Sequence, residues 1–158
     1  MTLDEVRALR DAGQHEEHLV AAKRLVAAHP SDPRAQIEAA YGHDRNGFER
    51  EAIRFYDEAY RLGVPVDLRR RFLVGYGSTL RNVGRTDDSI AVLAQAVADD
   101  PAYPAYAAFL ALALLSAGHA KTGMATLLGC ALAAARPGAF DGYERALGEY
   151  HQELLTTP

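Results

Sequence analysis

Small and apolar residues recur along this chain at intervals of three and four positions, and each recurrence follows a glycine. The segment after Gly47 shows the pattern most clearly, with small or apolar residues at Ala52, Ile53, Tyr56 and Ala59. This spacing puts the four side chains on one side of an α-helix, so it predicts an amphipathic helix with a single buried stripe.

The glycines that precede these segments are regularly spaced. Gly13, Gly47, Gly84 and Gly118 are separated by 34, 37 and 34 residues. Positions counted from each glycine keep their size class and are predicted to be core: six residues after it stand Leu19, Ile53, Ile90 and Met124, and nine after it stand Ala22, Tyr56, Leu93 and Leu127. An interval near 34 residues with a helical pattern on both sides predicts helical hairpins, each bent at its glycine.

Capping and helix-breaking residues give the boundaries of the predicted elements. Thr2 and Glu5 form a candidate capping box, Asp32 and Asp67 are candidate N-caps, and Pro30 ends the first hairpin. We therefore expect one domain over residues 1–158, with hairpins at about 3–30, 33–64, 67–101 and 103–135 and a last helix at about 140–155. The last helix has a polar outer side, which suits a helix that covers the end of a stack.

The repeated residues resemble the tetratricopeptide repeat (TPR) family. The resemblance covers about residues 3–135 and is carried by Gly47, Glu51, Ala52, Ile53, Tyr56 and Ala59 in the second hairpin, by Gly77, Gly84, Ile90, Ala96 and Pro101 in the third, and by Ala111, Gly118 and Ala131 in the fourth. The chain departs from the family pattern at His18 and Gly123, and it has no tryptophan. The resemblance implies an all-α fold, a right-handed α-solenoid of about four TPR hairpins with a C-terminal capping helix. It also implies a non-catalytic module or scaffold for protein–protein interaction.

Composition and charge narrow the classes of partner. The formal net charge is −4, which argues against general nucleic-acid binding, because that requires a basic domain. No apolar run approaches the roughly 18 residues that span a membrane, and the first residues lack the apolar core of a signal peptide. The single cysteine, Cys130, cannot form an internal disulfide, which fits a reducing compartment, so we expect a cytoplasmic protein.

No group of residues has the spacing of a catalytic or metal site. His15 and His18 would share one side of a helix, but a zinc site needs at least a third protein ligand. Cys130 falls at a predicted core position, where a thiol is unreactive. The segment Gly75–Gly77 lies in a helical pattern and follows no strand, so it is not a phosphate-binding loop. We therefore expect no enzyme activity, no metal and no cofactor, and a metal-binding protein or enzyme is the most distant alternative.

The resemblance also implies which side chains line the binding surface. In TPR proteins the first helix of each hairpin lines a concave groove. The matching positions here hold Arg7, Arg10 and Asp11 in the first hairpin, Arg34, Ile37, Tyr41, Asp44 and Arg45 in the second, and Arg71, Val74, Ser78, Arg81 and Asn82 in the third. Guanidinium groups suit carboxylates, and tyrosine adds rigid contact area. We expect this groove to bind an acidic or carboxylate-bearing peptide segment of a protein partner; the alternative is a solvated surface whose arginines pair with neighbouring acids.

Some TPR domains hold the terminal carboxylate of chaperones with lysines and asparagines at set groove positions. The corresponding positions here hold Leu3, Arg7, Glu38, Arg71 and Gly75. Only Arg71 is compatible with that role, so the chain is not expected to be an adaptor of that kind.

The fourth hairpin differs from the others because its groove positions are apolar. They include Ala105, Ala108, Leu112 and Leu115. An apolar patch that the last helix leaves uncovered would be an interaction site. It would receive a hydrophobic peptide or a second copy of the chain. The alternative function is therefore a structural self-assembly unit that forms a weak homodimer through this hairpin.

Overall fold

The computed structural model describes all residues from Met1 to Pro158. The chain forms nine α-helices and no strand, which confirms the predicted all-α fold class. The helices are α1 (Leu3–Asp11), α2 (His15–Ala28), α3 (Pro33–Arg45), α4 (Glu49–Leu62), α5 (Arg69–Asn82), α6 (Thr86–Asp99), α7 (Pro104–Ser116), α8 (Ala120–Ala134) and α9 (Glu144–Thr156), with a short 3-10 turn (Val66–Leu68) between α4 and α5. None of the helices has the length and apolarity needed to cross a membrane.

The breaks between helices that the sequence predicts at four glycines are confirmed. Gly13, Gly47, Gly84 and Gly118 lie between consecutive helices with φ angles of +73°, +79°, +88° and +85°. Side chains are strained in this left-handed region, whereas glycine adopts it freely. Each glycine therefore ends one helix and allows the next to begin within a few residues.

Local hydrogen bonds fix the starts of α1 and α3. The Glu5 amide donates to the Thr2 hydroxyl at 3.3 Å and the Thr2 amide donates to the Glu5 carboxylate at 2.7 Å, so the predicted capping box is formed. Asp32 caps α3 as predicted and accepts from the Arg34 amide at 2.9 Å. The prediction that Asp67 caps a helix is wrong, because Asp67 lies within the 3-10 turn and its carboxylate binds the Arg34 side chain instead.

The last helix begins at Glu144 rather than near Phe140. The preceding residues form turns in which Gly138, Asp141 and Gly142 have φ angles of +79°, +51° and +85°. Residues in the left-handed region cannot continue a right-handed helix. The helix therefore starts only after the last of them.

The chain divides into two compact units, Met1–Val83 and Gly84–Pro158. In the first unit α3 packs against both α2 and α4, α1 packs against α2 and α3, and α5 packs against α4. In the second unit α7 packs against both α6 and α8, and α9 packs against α8. The boundary falls at the third bend, so the pairing of α5 with α6 and the single domain stay predictions.

The most enclosed helix of the first unit is α3, in which all residues from Ala35 to His43 are buried. Small residues such as Ala39 and Ala40 allow neighbouring helices to approach closely. The buried rings of Tyr56 and Phe72 pack beside one another with a centroid distance of 5.5 Å. Polar groups carried by α3 are therefore inside the protein and need partners there.

Candidate functional site

Glu38 lies on α3 with no exposed surface and contacts three side chains. Its Oε1 accepts from Arg10 Nη1 at 2.6 Å and from Arg7 Nε at 3.3 Å, and its Oε2 lies 3.0 Å from His18 Nε2. Burial raises the pKa of Glu38, but the hydrogen bond with His18 and the charge of Arg10 outweigh burial and leave the pKa below its ordinary value. Glu38 is therefore a buried, charged carboxylate that holds both arginines of α1.

Tyr41 follows Glu38 by one turn of α3, and 5% of its surface is exposed. The Arg71 Cζ lies 5.0 Å from the centre of the Tyr41 ring and the Arg10 Cζ lies 5.8 Å from it, both within cation–π distance. The Tyr41 hydroxyl is buried and has no hydrogen-bond partner. Burial raises the pKa of Tyr41 to about 12, although the charge of Arg71 opposes the rise. The phenol is therefore protonated at neutral pH and has a hydrogen-bond donor that no group of the protein uses.

Arg7, Arg10, Tyr41 and Arg71 form one group, which we call the arginine–tyrosine cluster. All three arginines, and Glu38, lie close enough to alter the pKa of Tyr41. Nη2 of Arg7 is a second buried donor without a partner in this group. A buried donor that lacks an acceptor costs about 1–3 kcal/mol. The cluster therefore combines two buried donors that lack acceptors with the exposed guanidinium of Arg71.

Two exposed acids border the cluster. Asp4 Oδ1 lies 3.9 Å from Arg7 Nη1, and Asp11 Oδ1 accepts from Arg10 Nε at 3.0 Å. Exposed ion pairs contribute little, about 0–1 kcal/mol, so these acids are weak competitors for an incoming anion. Arg71 is exposed and forms no salt bridge, which makes it the most accessible member of the cluster.

Other predicted residues at this end of the groove take part in the protein's own contacts. Arg34 donates to Asp67 through both terminal nitrogens, each at 3.0 Å, and this hydrogen bonding lowers the pKa of Asp67. Ile37 is completely buried, which corrects the prediction that its side chain lines the groove: it belongs to the core. Val74 and Ser78 are half-buried.

Asp44 and Asn82, two predicted groove residues near the ends of α3 and α5, bind other side chains of the protein. Asp44 Oδ2 accepts from the hydroxyls of Tyr56 at 3.0 Å and Thr79 at 3.2 Å, and burial raises the pKa of Asp44. Asn82 Nδ2 donates to Glu49 Oε1 at 2.9 Å. Both polar groups are therefore already satisfied within the protein.

Two predicted arginines near the bends remain without a carboxylate partner. Arg45 is exposed, and Nε of Arg81 is buried and makes no hydrogen bond. They provide donors at the end of the groove opposite to Arg71. The positions that the resemblance assigns to a groove thus carry donors near both ends of α5, and the larger group is the arginine–tyrosine cluster.

Gly75 makes room for one of the buried rings. A Cβ atom at Gly75 would lie 2.7 Å from the Tyr56 hydroxyl oxygen. Glycine at this position therefore allows Tyr56 to reach Asp44. The segment Gly75–Gly77 lies inside α5, in agreement with the prediction that it is not a phosphate-binding loop.

In the second unit, three of the four predicted self-association residues, Ala108, Leu112 and Leu115, line an open apolar groove of about 240 Å³ between α7 and α8, whereas Ala105 is not part of its lining. Ala105 and Ala108 are half-buried. Leu112 and Leu115 are 41% and 58% exposed. These four residues therefore contribute unequally, and the two leucines present most of the accessible surface.

Sequence reasoning missed two further residues of this groove, Met124 and Leu127 of α8. Both occupy repeat positions predicted to be core, yet they are 56% and 46% exposed, so that prediction is wrong for them. Cys130, also predicted to be core, is half-buried and donates to the Pro104 carbonyl at 3.4 Å. The physical reason is that α9, the next helix, packs against α8 but not against α7.

A larger cavity, of about 670 Å³, lies between α1 and α2 and was not predicted. Its lining is mostly apolar and includes Leu9, Val20, Ala21, Arg24, Leu25 and Ala28. None of these residues carries a buried polar atom that lacks a partner. We place the candidate site at the arginine–tyrosine cluster because two buried donors without partners, the Tyr41 hydroxyl and Arg7 Nη2, lie there together.

The repeated helices define the class of the protein, an all-α helical-repeat protein. The structure has no group of three or more histidine, cysteine, aspartate or glutamate side chains placed to hold a metal. A family model described as "Tetratrico peptide repeat" matches residues 33–154, so the chain belongs to the tetratricopeptide repeat family, as the resemblance predicted. Members of this family typically bind other proteins and are not catalysts. No curated protein matches the chain.

Proposed function

We propose that the arginine–tyrosine cluster binds an acidic group on a peptide segment of a protein partner. The family generally mediates protein–protein interactions, which supports a protein ligand. The acidic group is a carboxylate, because planar guanidinium groups and a phenol donor match its acceptor oxygens.

The observation that carries the proposal is the pair of buried donors without acceptors, the Tyr41 hydroxyl and Nη2 of Arg7. These two atoms have almost no accessible surface, so an incoming carboxylate first meets the exposed Arg71 and satisfies them once the side chains of the cluster shift. Glu38 already holds Arg7 and Arg10 in place, so few side chains lose freedom when the ligand arrives. Arg71, which is exposed beside Tyr41, supplies a charge-assisted contact at the entrance.

Arg81 supplies a second anchor for the same peptide. Arg71 and Arg81 are separated by ten residues of α5, which corresponds to about 15 Å along the helix axis. An extended chain advances about 3.3 Å per residue. We therefore propose a segment with two acidic groups separated by four or five residues.

Synthetic peptides test this proposal. A labelled peptide with two glutamates at that separation is titrated with the full chain and followed by fluorescence anisotropy. We expect the matched peptide with glutamines to bind about tenfold or more weakly, because it loses charge-assisted hydrogen bonds. Equal affinity for the two peptides would contradict a carboxylate ligand.

Variants locate the binding site on the protein. Arg71→Gln and Tyr41→Phe each remove donors from the cluster, and we expect each to weaken binding of the glutamate peptide about tenfold. Arg50→Gln is the matched control, because Arg50 is exposed on α4 and the charge change is the same. If Arg71→Gln and Arg50→Gln bind equally well, the peptide does not bind at the cluster.

Self-assembly is a second candidate function, and it concerns the other unit. It is favoured by one observation, the exposed leucines beside the open groove between α7 and α8. This candidate does not compete with the first, because the residues involved are different.

A further inference from the structure

The helix α7 is unlike every other helix of the chain, because it contains no charged residue. Its partner α8 contains one, Lys121. The Lys121 ammonium donates to the carbonyl oxygens of Thr157 and Pro158, so it is already occupied. The groove between α7 and α8 is thus bordered by a surface with no available charge.

The groove is open because α9 covers α8 from another side. A Cβ atom at Gly129 would lie 2.8 Å from His151 Nε2, which shows that α9 lies directly against that side of α8. Near the Gly118 bend, α7 and α8 cross closely. A Cβ atom at Gly123 of α8 would lie 3.0 Å from the Ala111 carbonyl oxygen of α7. The floor of the groove is therefore made of small residues, and larger apolar side chains stand at its edges.

Building on self-assembly as the second candidate function, we propose that this groove receives the same groove of a second copy of the chain, in a two-fold symmetric pair. A surface without charge is matched only by a partner surface without charge, since a charged group placed against it would lose its hydration and gain nothing. In this protein the surface of that kind is the one formed by α7 and α8. In a two-fold pair every contact occurs twice, so the protruding Leu115 and Met124 of each copy meet the small residues of the other.

The area available makes the pair weak and reversible. The exposed parts of Leu112, Leu115, Met124 and Leu127 amount to roughly 300–400 Å² per copy, whereas a stable interface buries about 800 Å² on each partner. The small residues between them add some area but do not double it. The pair is therefore a concentration-dependent dimer rather than a permanent one.

Sedimentation equilibrium of the full chain, from about ten micromolar to about one millimolar, tests the proposal. We expect a monomer–dimer equilibrium in which the dimer becomes substantial only toward the upper end. Leu115→Glu places two like charges in the shared apolar contact, so we expect the dimer fraction to fall at least tenfold. Val66→Glu is the control, because Val66 is 80% exposed in the first unit and carries the same change of charge; it should dimerise like the original chain.

Three outcomes would overturn the proposal. The first is a chain that remains monomeric at one millimolar. The second is a dimer that survives Leu115→Glu, provided that circular dichroism shows unchanged helix content. The third is a monomeric chain that binds an uncharged leucine-rich helical peptide through Leu115, which would assign the groove to a different partner. Binding of the acidic peptide to Leu115→Glu shows separately whether the first unit is intact.

Discussion

The helices α3 and α7 have the same place in their hairpins but opposite chemistry. Counted back from the bend glycine, the same four positions hold Arg34, Ile37, Tyr41 and Asp44 in α3, and Ala105, Ala108, Leu112 and Leu115 in α7. Nine residues before the bend, α3 has the buried Glu38 and α7 has Phe109. The repeat therefore fixes where one helix ends and the next begins, while the residues at equivalent positions decide the chemistry of each surface.

The buried Glu38 changes the surface of the helices around it. Glu38 needs donors, so it holds Arg7, Arg10 and His18 around it and concentrates guanidinium groups beside Tyr41. At α7 no acid has to be satisfied, and leucines extend outward instead. The chemistry of each surface is thus specific to its unit, although both units contain the same kind of helical hairpin.

The largest expected effect comes from removing the acid on which this difference depends. Glu38→Ala leaves two arginines and a histidine around a space with no carboxylate, and we expect the free energy of unfolding to fall by about 3–5 kcal/mol. Urea unfolding followed by circular dichroism measures this change. Glu58→Ala is the control, because Glu58 pairs with Arg61 in solvent, and its midpoint should stay close to that of the original chain. A Glu38→Ala midpoint equal to that of the control would mean that the network adds no stability.

A smaller effect is expected at the glycine beside Tyr56. Gly75→Ala puts a methyl group 2.7 Å from the Tyr56 hydroxyl oxygen, so the ring must shift away from Asp44. We expect a loss of about 1–3 kcal/mol in the free energy of unfolding. Gly148→Ala in α9 is the matched control, since nothing lies within 4 Å of its Cβ position, and it should be neutral or stabilising by up to about 1 kcal/mol. Similar destabilisation by both changes would show that the contact with Tyr56 is not the cause.

The smallest expected effect is a change in how stability responds to acid. The pKa of folded Glu38 is below the ordinary 4.5, so its stabilisation is complete above about pH 4.5 and is lost as the pH falls through the folded value. The raised pKa of Asp44 acts in the opposite direction, because folding then favours its protonated form. As the pH falls from 4.5 to about 3, we expect the free energy of unfolding of Glu38→Gln to decline less steeply than that of the original chain. We expect that of Asp44→Asn to decline more steeply. Urea unfolding at several pH values tests the order of the three slopes, and three equal slopes would contradict both charge assignments.

The helices and bends follow from the sequence because their causes are local. The left-handed glycines and the Thr2–Glu5 capping box act over a few residues, so spacing and residue type are enough to find them. The role of Asp67 could not be found in this way, because its partner Arg34 lies 33 residues earlier. The sequence identifies the arginines as candidate binding residues. It does not show which of them pair with acids inside the protein and which keep unpaired donors, because that depends on partners that only folding brings close.

The exposure of Met124 and Leu127 was unpredictable for a related reason. Their positions in the repeat are core positions wherever another hairpin follows and covers them. Here the next helix lies against α8 and leaves α7 uncovered, which depends on the turns between residues 138 and 143. The hydrophobic pattern shows that a side is apolar but does not show which neighbour, if any, covers it.

The absence of charge on α7 means that the two surfaces respond differently to ionic strength. Raising the salt concentration from 0.15 M to 1 M shortens the screening length from about 8 Å to about 3 Å, which weakens attraction at the exposed guanidinium of Arg71. An uncharged leucine and methionine contact gains from sulfate, since that salt is excluded from protein surfaces and favours burial. In sulfate-rich buffer the first unit would release an acidic ligand under the same conditions that bring second units together.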